Sequence, residues 1–191
     1  MSNIAIKGAA TGTGVFTLES PATNTNRTLT LPDEAGTILT TATAGVPIGG
    51  PAFSAYLAST QSVTNSVVTK VTINTEVFDT NSCFDNATNY RFTPTVAGYY
   101  QVNGVLRLNA GSSLSAGWVS IYKNGSAYSR GIEYNTALTG PPQLVVSDIV
   151  YFNGSTDYVE LYGLNNANTP TFEAISTGIT ARFSAAMVRS A

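Results

Sequence analysis

Hydrophobic and polar residues alternate between residues 99 and 108. One side of an extended chain would carry Tyr100, Val102, Gly104, Leu106 and Leu108, and the other would carry Tyr99, Gln101, Asn103 and Arg107. A period of two is typical of a half-buried strand, and the length of this segment indicates a central one. The pattern predicts a strand around which a β-sheet protein is organised.

A tight corner is predicted immediately before this strand. Pro94 and Gly98 bracket a turn, and Phe92 ends the shorter strand that enters it. We expect the structural core to form around this corner and the long strand. Its predicted members are Phe53, Phe92, Pro94, Gly98, Tyr100, Val102 and Leu106.

The rest of residues 51–191 consists of short β-prone segments separated by turn residues. Asn124-Gly125 is a strong hairpin signal, and no segment has a helical period. The sequence therefore predicts an all-β, jelly-roll β-sandwich head over residues 51–191. The predicted strands are residues 52–56, 67–73, 76–78, 99–108, 118–123, 127–134, 144–152, 157–164 and 175–188.

Residues 1–50 differ from the head. Glycines separate short β-prone pieces such as residues 15–18, 28–31 and 37–40, and the segment has too few apolar residues to form its own core. We expect an extended, β-rich N-terminal arm that is ordered by contacts with other chains, the alternative being a disordered leader. The glycines at residues 45–50 predict a hinge or linker.

Composition limits the classes of partner. Only 10% of residues are charged and the formal net charge is −2, so the chain offers no basic surface for nucleic acid. No segment is long and apolar enough for a signal peptide or a membrane span, so we expect synthesis in a cytoplasm and no membrane insertion.

Enzymatic chemistry finds little support in the sequence. The chain has no histidine, which excludes a Ser-His-Asp triad, a histidine base and an imidazole metal site. Asp148, Asp157, Glu160 and Glu173 supply carboxylates, but no spacing selects a catalytic pair among them. The sequence predicts a non-enzymatic protein without a cofactor.

A metal site is considered in one loop. Asp79, Asn81 and Asp85 place oxygen ligands there, but the glycine and glutamate that an EF-hand loop requires are replaced by Phe84 and Tyr90. The lone Cys83 excludes a thiolate cluster and an intrachain disulfide. We therefore expect a polar connecting loop and no metal.

Motifs in both parts of the chain are similar to known families. Phe53-Ser-Ala, the segment Asn89-Tyr-Arg-Phe-Thr-Pro-Thr-Val-Ala-Gly-Tyr-Tyr100, Tyr122-Lys-Asn-Gly125 and the strand at residues 180–188 resemble the trimeric jelly roll of complement and tumour-necrosis-factor proteins. Residues 8–42 resemble a module common near the start of bacteriophage fibre and virion-surface proteins, and the segment that carries this resemblance is Arg27-Thr-Leu-Thr-Leu-Pro-Asp-Glu-Ala-Gly-Thr-Ile-Leu39. Together the resemblances imply a homotrimeric head on an attachment arm.

Aromatic residues on both faces of two strands suggest where subunits meet. In the strands at residues 118–123 and 157–164, aromatic side chains alternate with aliphatic ones. One side fills the core, and large apolar residues on the other side usually mark an interface. The candidate trimer-interface residues are Trp118, Tyr122, Tyr158 and Tyr162, unless these rings only keep their polar groups wet at the rim.

Two functions are compatible with the sequence. The first is a phage virion structural protein, a surface-exposed fibre or capsid decoration that binds other capsid or tail proteins through residues 1–50. The second is a receptor-binding tail-fibre head whose loops recognise a host surface glycan or protein. The candidate loop residues are Asn109, Ser112, Thr136, Asn165 and Asn168. Both functions place the protein on the virion surface.

Overall fold

The computed structural model describes residues 50–109, 114–137 and 140–191, with a few isolated positions between residues 11 and 28. The chain divides into two compact units, Met1–Ile38 and Leu39–Ala191, and every strand described below belongs to the second. The predicted arm at residues 1–50 lies almost entirely outside the described residues, so the arm and its boundary remain predictions. Among the described residues, no helix could cross a membrane.

The described part of the chain contains strands and no helix. In chain order the strands are β1 (Ala52–Tyr56), β2 (Gln61–Ser62), β3 (Thr69–Lys70), β4 (Thr75–Asp79), β5 (Phe84–Asp85), β6 (Arg91–Phe92), β7 (Gly98–Arg107), β8 (Ala116–Lys123), β9 (Ser126–Tyr134), β10 (Gln143–Phe152), β11 (Val159–Asn166), β12 (Thr171–Phe172) and β13 (Arg182–Ser190).

These strands form two main antiparallel sheets. The first sheet has the order β10-β7-β13-β1-β4, and the second has the order β5-β6-β11-β8-β9, with β3 also paired to β11. Strands β2 and β12 form a separate short pair. Two antiparallel sheets packed over one core make a β-sandwich, which confirms the predicted all-β fold.

The core lies between the inward sides of the two sheets. In β7 the buried residues alternate with exposed or half-buried ones along the whole strand, as the period of two predicts. The residues predicted for the core are all buried, namely Phe53, Phe92, Pro94, Gly98, Tyr100, Val102 and Leu106.

Aromatic rings from both sheets meet at one end of this core. Phe53 of β1 stacks on Phe84 of β5 and on Phe92 of β6, with ring centroids 4.4 and 4.6 Å apart. Tyr100 packs edge-on against Phe92 (5.7 Å) and against Phe152 of β10 (5.1 Å). Such pairs add to the free energy of burying their large apolar surfaces, so this aromatic cluster joins the two sheets.

The corner before β7 is fixed by Tyr100 and Gly98. The Tyr100 hydroxyl donates to the Val96 carbonyl oxygen (2.8 Å), and burial raises the pKa of this hydroxyl well above its usual value. A Cβ at Gly98 would lie 2.5 Å from the carbonyl oxygen of Arg189 in β13. Glycine is therefore required where β7 begins beside β13.

Two predicted strands are shorter in the structure. Only β3 forms within residues 67–73, because the side-chain amide of Gln61 bonds the Lys70 carbonyl oxygen and the Thr72 N–H in place of a strand partner. The strand predicted at residues 175–188 begins at Arg182, since Ile175 and Gly178 close a tight turn before it. Side-chain amides and short turns override the apolar pattern in both places.

The loop at residues 79–89 uses its carboxylates internally. Asp79 accepts bonds from the N–H groups of Phe84 (2.7 Å) and Asn81 (3.3 Å). Asp85 accepts from the N–H groups of Thr88 (2.8 Å), Ala87 and Asn89, and also from the Asn89 side chain. Led by the bond from Thr88, these contacts lower the pKa of the Asp85 carboxyl from 3.8 to about 2.

We expect Gly98→Val and Tyr100→Ala to destabilise the head. The first substitution forces a side chain into the β13 backbone, and the second leaves a core cavity that costs about 3–5 kcal/mol. Thermal and urea unfolding measure both effects. Gly178→Val, where a Cβ meets open space, and Tyr128→Ala, at a half-exposed ring, serve as matched controls. Equal stability of all four variants would show that the corner is not central to the fold.

The lowered pKa of Asp85 should make the free energy of unfolding decrease in acid. Its folded-state pKa lies below the unfolded value, so its contribution is complete above about pH 4 and disappears as the pH falls through about 2. Urea unfolding between pH 5 and pH 2 should show a shallower acid loss for Asp85→Asn than for the unmodified chain. Glu76→Gln, at an exposed carboxyl of β4, is the control. Parallel curves for all three proteins would contradict the assignment.

Candidate functional site

The two ends of the sandwich differ in what they carry. Ala52, where β1 begins, pairs with Ala186 of β13, which in turn pairs with Gln101 of β7. At the other end of β1, Tyr56 pairs with Arg182, which pairs with Val105. The chain from residue 50 therefore enters at the first of these ends, which we call the entry end. The last residue is also there, because the Ala191 N–H donates to the Ala97 carbonyl oxygen (3.3 Å).

The opposite end gathers the loops in which receptor contacts were predicted. We call it the loop end, formed by residues 57–68, 140–142 and 166–181 with Leu108 and Asn109. The loops are bonded to one another: Leu108 N–H donates to the Pro142 carbonyl oxygen, and Val63 N–H donates to that of Pro170. The described candidate loop residues, Asn109, Thr136, Asn165 and Asn168, are thus at one end, opposite the point of chain entry.

Asn165 and Asn109 hold these loops together. Asn165 is fully buried, and its Nδ2 donates to Asn109 Oδ1 (2.9 Å) and to the Thr171 carbonyl oxygen (3.0 Å). Asn109 Oδ1 also accepts from Thr171 N–H, and its Nδ2 donates to the Thr169 carbonyl oxygen (2.7 Å). Asn165 is therefore buried between the loops and bonded to both of them, which corrects the expectation that it is an exposed receptor-contact residue.

The other candidate loop residues have different positions. Thr136 and Asn168 are exposed, whereas Ser112 lies outside the described residues. Ile175 and Ile179 are also exposed at the loop end and border a hollow of about 280 Å³ that Tyr56 and Leu57 line. The loop end therefore combines exposed polar groups with a small apolar rim, which the sequence pattern did not predict.

The predicted aromatic interface lies on the outer face of the second sheet and is mostly covered. Trp118 is only 7% exposed because the Arg130 guanidinium lies 4.3 Å from its ring. Arg91 covers Tyr158 in the same way, also at 4.3 Å. Such cation–π contacts satisfy the rings within one subunit. This corrects the expectation that Trp118 belongs to a large exposed patch.

The remaining tyrosines of this face surround a buried carboxylate. Tyr122 and Tyr162 stack with centroids 4.1 Å apart, and Glu160 is only 3% exposed. Lys70 Nζ lies 2.6 Å from Glu160 Oε1, and Arg91 Nε lies 3.7 Å from the same atom. Burial and then the Glu160 charge raise the pKa of Tyr162. The Glu160 charge is thus paired with two cations, although the buried Arg91 Nε makes no hydrogen bond. Removing Lys70 or Arg91 would leave a costly buried charge.

The first sheet exposes a different, apolar surface. On the outer sides of β7, β10 and β13, five large side chains are between 41% and 53% exposed. Tyr99 and Tyr151 are paired across the strands with rings 5.3 Å apart. The outward positions of β7 and β10 carry no charge except Arg107 at the loop end. We call this surface the apolar sheet face, formed by Tyr99, Val145, Ile149, Tyr151 and Val188.

The sequence contains a pattern that indicates this face, but the prediction of the interface considered only strands with aromatic residues on both sides. Residues 144–152 are apolar at most positions on both sides of the strand. The inward side fills the core with Leu144, Val146 and Val150, so the outward residues have no place within the subunit.

A small polar cluster interrupts the apolar sheet face. Ser147 Oγ donates to Asn103 Oδ1 (2.8 Å), and Gln101 Nε2 donates to Ser147 Oγ (2.9 Å) and to the Asp148 carbonyl oxygen (3.2 Å). Asn103 also lines a hollow of about 310 Å³ together with Ser54 and Phe78. We call Gln101, Asn103 and Ser147 the amide cluster.

The four candidate carboxylates are separated and individually engaged. Glu160 pairs with Lys70, Glu173 with Arg107 (2.8 Å) and Asp157 with Lys123 (3.2 Å), and Asp148 accepts from the N–H of Ile149. Within the described ranges, no three His, Cys, Asp or Glu residues are close enough to hold a metal ion.

Comparison with known proteins places the fold. No family model and no curated protein matches the sequence. The globular domain of zebrafish complement 1qA is similar in structure, with a TM-score of 0.51 at 16% identity over 74% of this chain and 99% of that chain. Murine APRIL at pH 5.0 matches with a TM-score of 0.53 at 11% identity over 73% of this chain and 99% of that one. The head therefore has the jelly-roll fold of the complement and tumour-necrosis-factor type.

Proposed function

We propose that the chain is a non-enzymatic structural protein of a bacteriophage virion, a homotrimer displayed on the particle surface and attached through residues 1–50. The observation that carries the assembly is the apolar sheet face. Five large side chains about half exposed on adjacent strands form the kind of patch that marks a protein interface. The sequence resembles a family of trimeric proteins, and this resemblance implies that a second copy of the chain covers the face.

The location of this patch supports association between copies. It covers the outer side of the long strands β7 and β10, which are rigidly held by the core on their inner side. The outer face of the second sheet, in contrast, carries charged side chains over its aromatic rings, although Tyr128 and Ile132 of the edge strand β9 are about half exposed. An interface through the first sheet leaves that charged face in water, as a soluble assembly requires.

The virion assignment is supported by the N-terminal sequence. Residues 27–39 resemble a module of phage fibre and virion-surface proteins, and the segment up to residue 50 is too poor in apolar residues to form a core alone. Capsid or tail proteins are the partners that this resemblance implies. The chain enters the head at the entry end. An attachment at that end would leave the loop end facing away from the particle.

Receptor binding is a second candidate function, favoured by the position of the loops. Exposed Thr136 and Asn168 and the apolar rim of Ile175 and Ile179 lie at the end opposite chain entry. A loop cluster on a rigid sandwich is a common place for recognition. A host surface glycan or protein would then meet the loop end first.

Ile149→Glu should dissociate the trimer while the head stays folded. A charge in the middle of the apolar sheet face is desolvated on association but remains in water in the monomer. Sedimentation velocity at micromolar concentration measures the mass, and circular dichroism checks the fold. Ile175→Glu, at an exposed isoleucine of the loop end, is the matched control and should stay trimeric. An unmodified chain that sediments as a monomer would remove the trimer from the proposal.

Electron microscopy of labelled particles tests the virion role. A chain tagged in the head should appear on assembled virions, and deletion of residues 1–45 should leave a folded head that is no longer incorporated. Label over the capsid supports decoration, whereas label at the tail tip supports receptor binding by the loop end. Particles without label would contradict both functions, and normal incorporation of the deleted chain would exclude the arm as the anchor.

A further inference from the structure

We propose that Gln101 and Asn103 of neighbouring copies hydrogen-bond to each other across the apolar sheet face and thereby set the register of the assembly. This inference rests on the proposed homotrimer and adds the residues that specify it. The occupant of the face is then a second copy of this chain, recognised by its own amide groups.

The unused hydrogen-bonding groups of the amide cluster suggest this pairing. Gln101 Nε2 donates to Ser147 Oγ and the Asp148 carbonyl oxygen, and it lies 3.4 Å from Asn103 Oδ1. Asn103 Oδ1 accepts from Ser147 Oγ. In the described part of the chain, Gln101 Oε1 and Asn103 Nδ2 have no partner. Each copy therefore offers one amide acceptor and one amide donor on the same surface.

The surroundings of the cluster favour a partner that brings polar groups of its own. Along β10 the register aligns Ile149 with Gln101 and Val145 with Val105, so apolar residues lie beyond the amides at both ends of the cluster. Across the strands Asn103 lies between Ser147 and Ser184. Any partner that covers the apolar residues also removes water from Gln101 Oε1 and Asn103 Nδ2. A purely apolar partner would leave both groups unpaired, which is unfavourable in a dry interface.

A second copy supplies the missing groups by symmetry. In a closed ring, the surface of one subunit meets a different part of the next, and the same contact repeats around the axis. The donor of each copy can then meet the acceptor of the next one. Single polar residues within apolar interfaces are known to fix register and the number of chains, and the amide cluster has this character.

The position of the cluster also limits the ways in which copies can shift along each other. Gln101 and Asn103 are two residues apart and therefore lie on the same side of β7. A shift of the facing copy by one outward position along β7, about 7 Å, would place an amide opposite an apolar residue such as Val105. The amides thus penalise alternative registers that the apolar residues alone would tolerate.

A double-mutant cycle on the full chain tests the proposal. The variants are Gln101→Leu, Asn103→Leu and the double substitution, and sedimentation equilibrium over a range of concentrations gives the trimer dissociation constant of each. We expect each single variant to weaken the trimer at least tenfold, since its partner group stays unpaired. The double variant should recover most of the affinity because no unpaired amide remains.

The readout separates contacts between copies from contacts within one copy. The internal Gln101–Asn103 contact is present in monomer and trimer alike, so it largely cancels in the dissociation constant. Asn168→Leu, at an exposed amide of the loop end, controls for the added apolar surface and should leave the constant unchanged. Circular dichroism and thermal unfolding confirm that every variant is folded.

The possible failures are distinguishable from that of the proposed function. If the unmodified chain is a monomer, the homotrimer itself is wrong. If the chain is a trimer and the two single effects simply add, the amides do not pair between copies and this inference is overturned. A single variant that binds more tightly than the unmodified chain would overturn it as well, because the amide would then be only a cost to the interface.

Discussion

The stacking of Phe53 on Phe84 and Phe92 is the contact on which the sandwich depends. It brings β1 of the first sheet against β5 and β6 of the second, with ring centroids 4.4 and 4.6 Å apart. Phe152 and Tyr100 extend the cluster to β10 and β7. Because these strands use their inward residues to build the core, any apolar residue on their outward side must find a partner elsewhere. The core packing thus determines which residues of β7 and β10 are left for association.

The outer faces of the two sheets differ in how their aromatic and apolar residues are covered. On the second sheet, Arg130 covers Trp118, and Lys70 and Arg91 neutralise Glu160 among the tyrosines. That face therefore carries its own charged partners for most of its aromatic rings. On the first sheet, no charged side chain covers Ile149 among the described residues, and Tyr151 stays 41% exposed although Lys123 Nζ lies 5.9 Å from its ring centroid. This difference between the faces supports one direction of assembly over the other.

Much of the fold could be predicted because burial alternates with a period of two. Strands β7, β8, β9 and β10 begin and end within about two residues of the predicted bounds. One error arose where the Gln61 side chain replaces a strand partner beside Lys70, and another where a tight turn precedes β13. The site was harder to predict, because alternation shows that a strand has two sides but not what covers each. Arg130 above Trp118 and the burial of Asn165 both follow from pairing between strands that no local pattern reveals.

The shared position of chain entry and Ala191 has a practical consequence for protein engineering. Residue 50 leads into β1 at the end where the Ala191 N–H bonds to the Ala97 carbonyl oxygen. A polypeptide fused after Ala191 would therefore leave the head at the entry end, where residue 50 leads into β1. A peptide grafted between Ile175 and Gly178, where the tight turn of the loop end is exposed, would point the opposite way. For display of an antigen or an affinity tag at the loop end, insertion into the internal turn is therefore preferable to a fusion after Ala191.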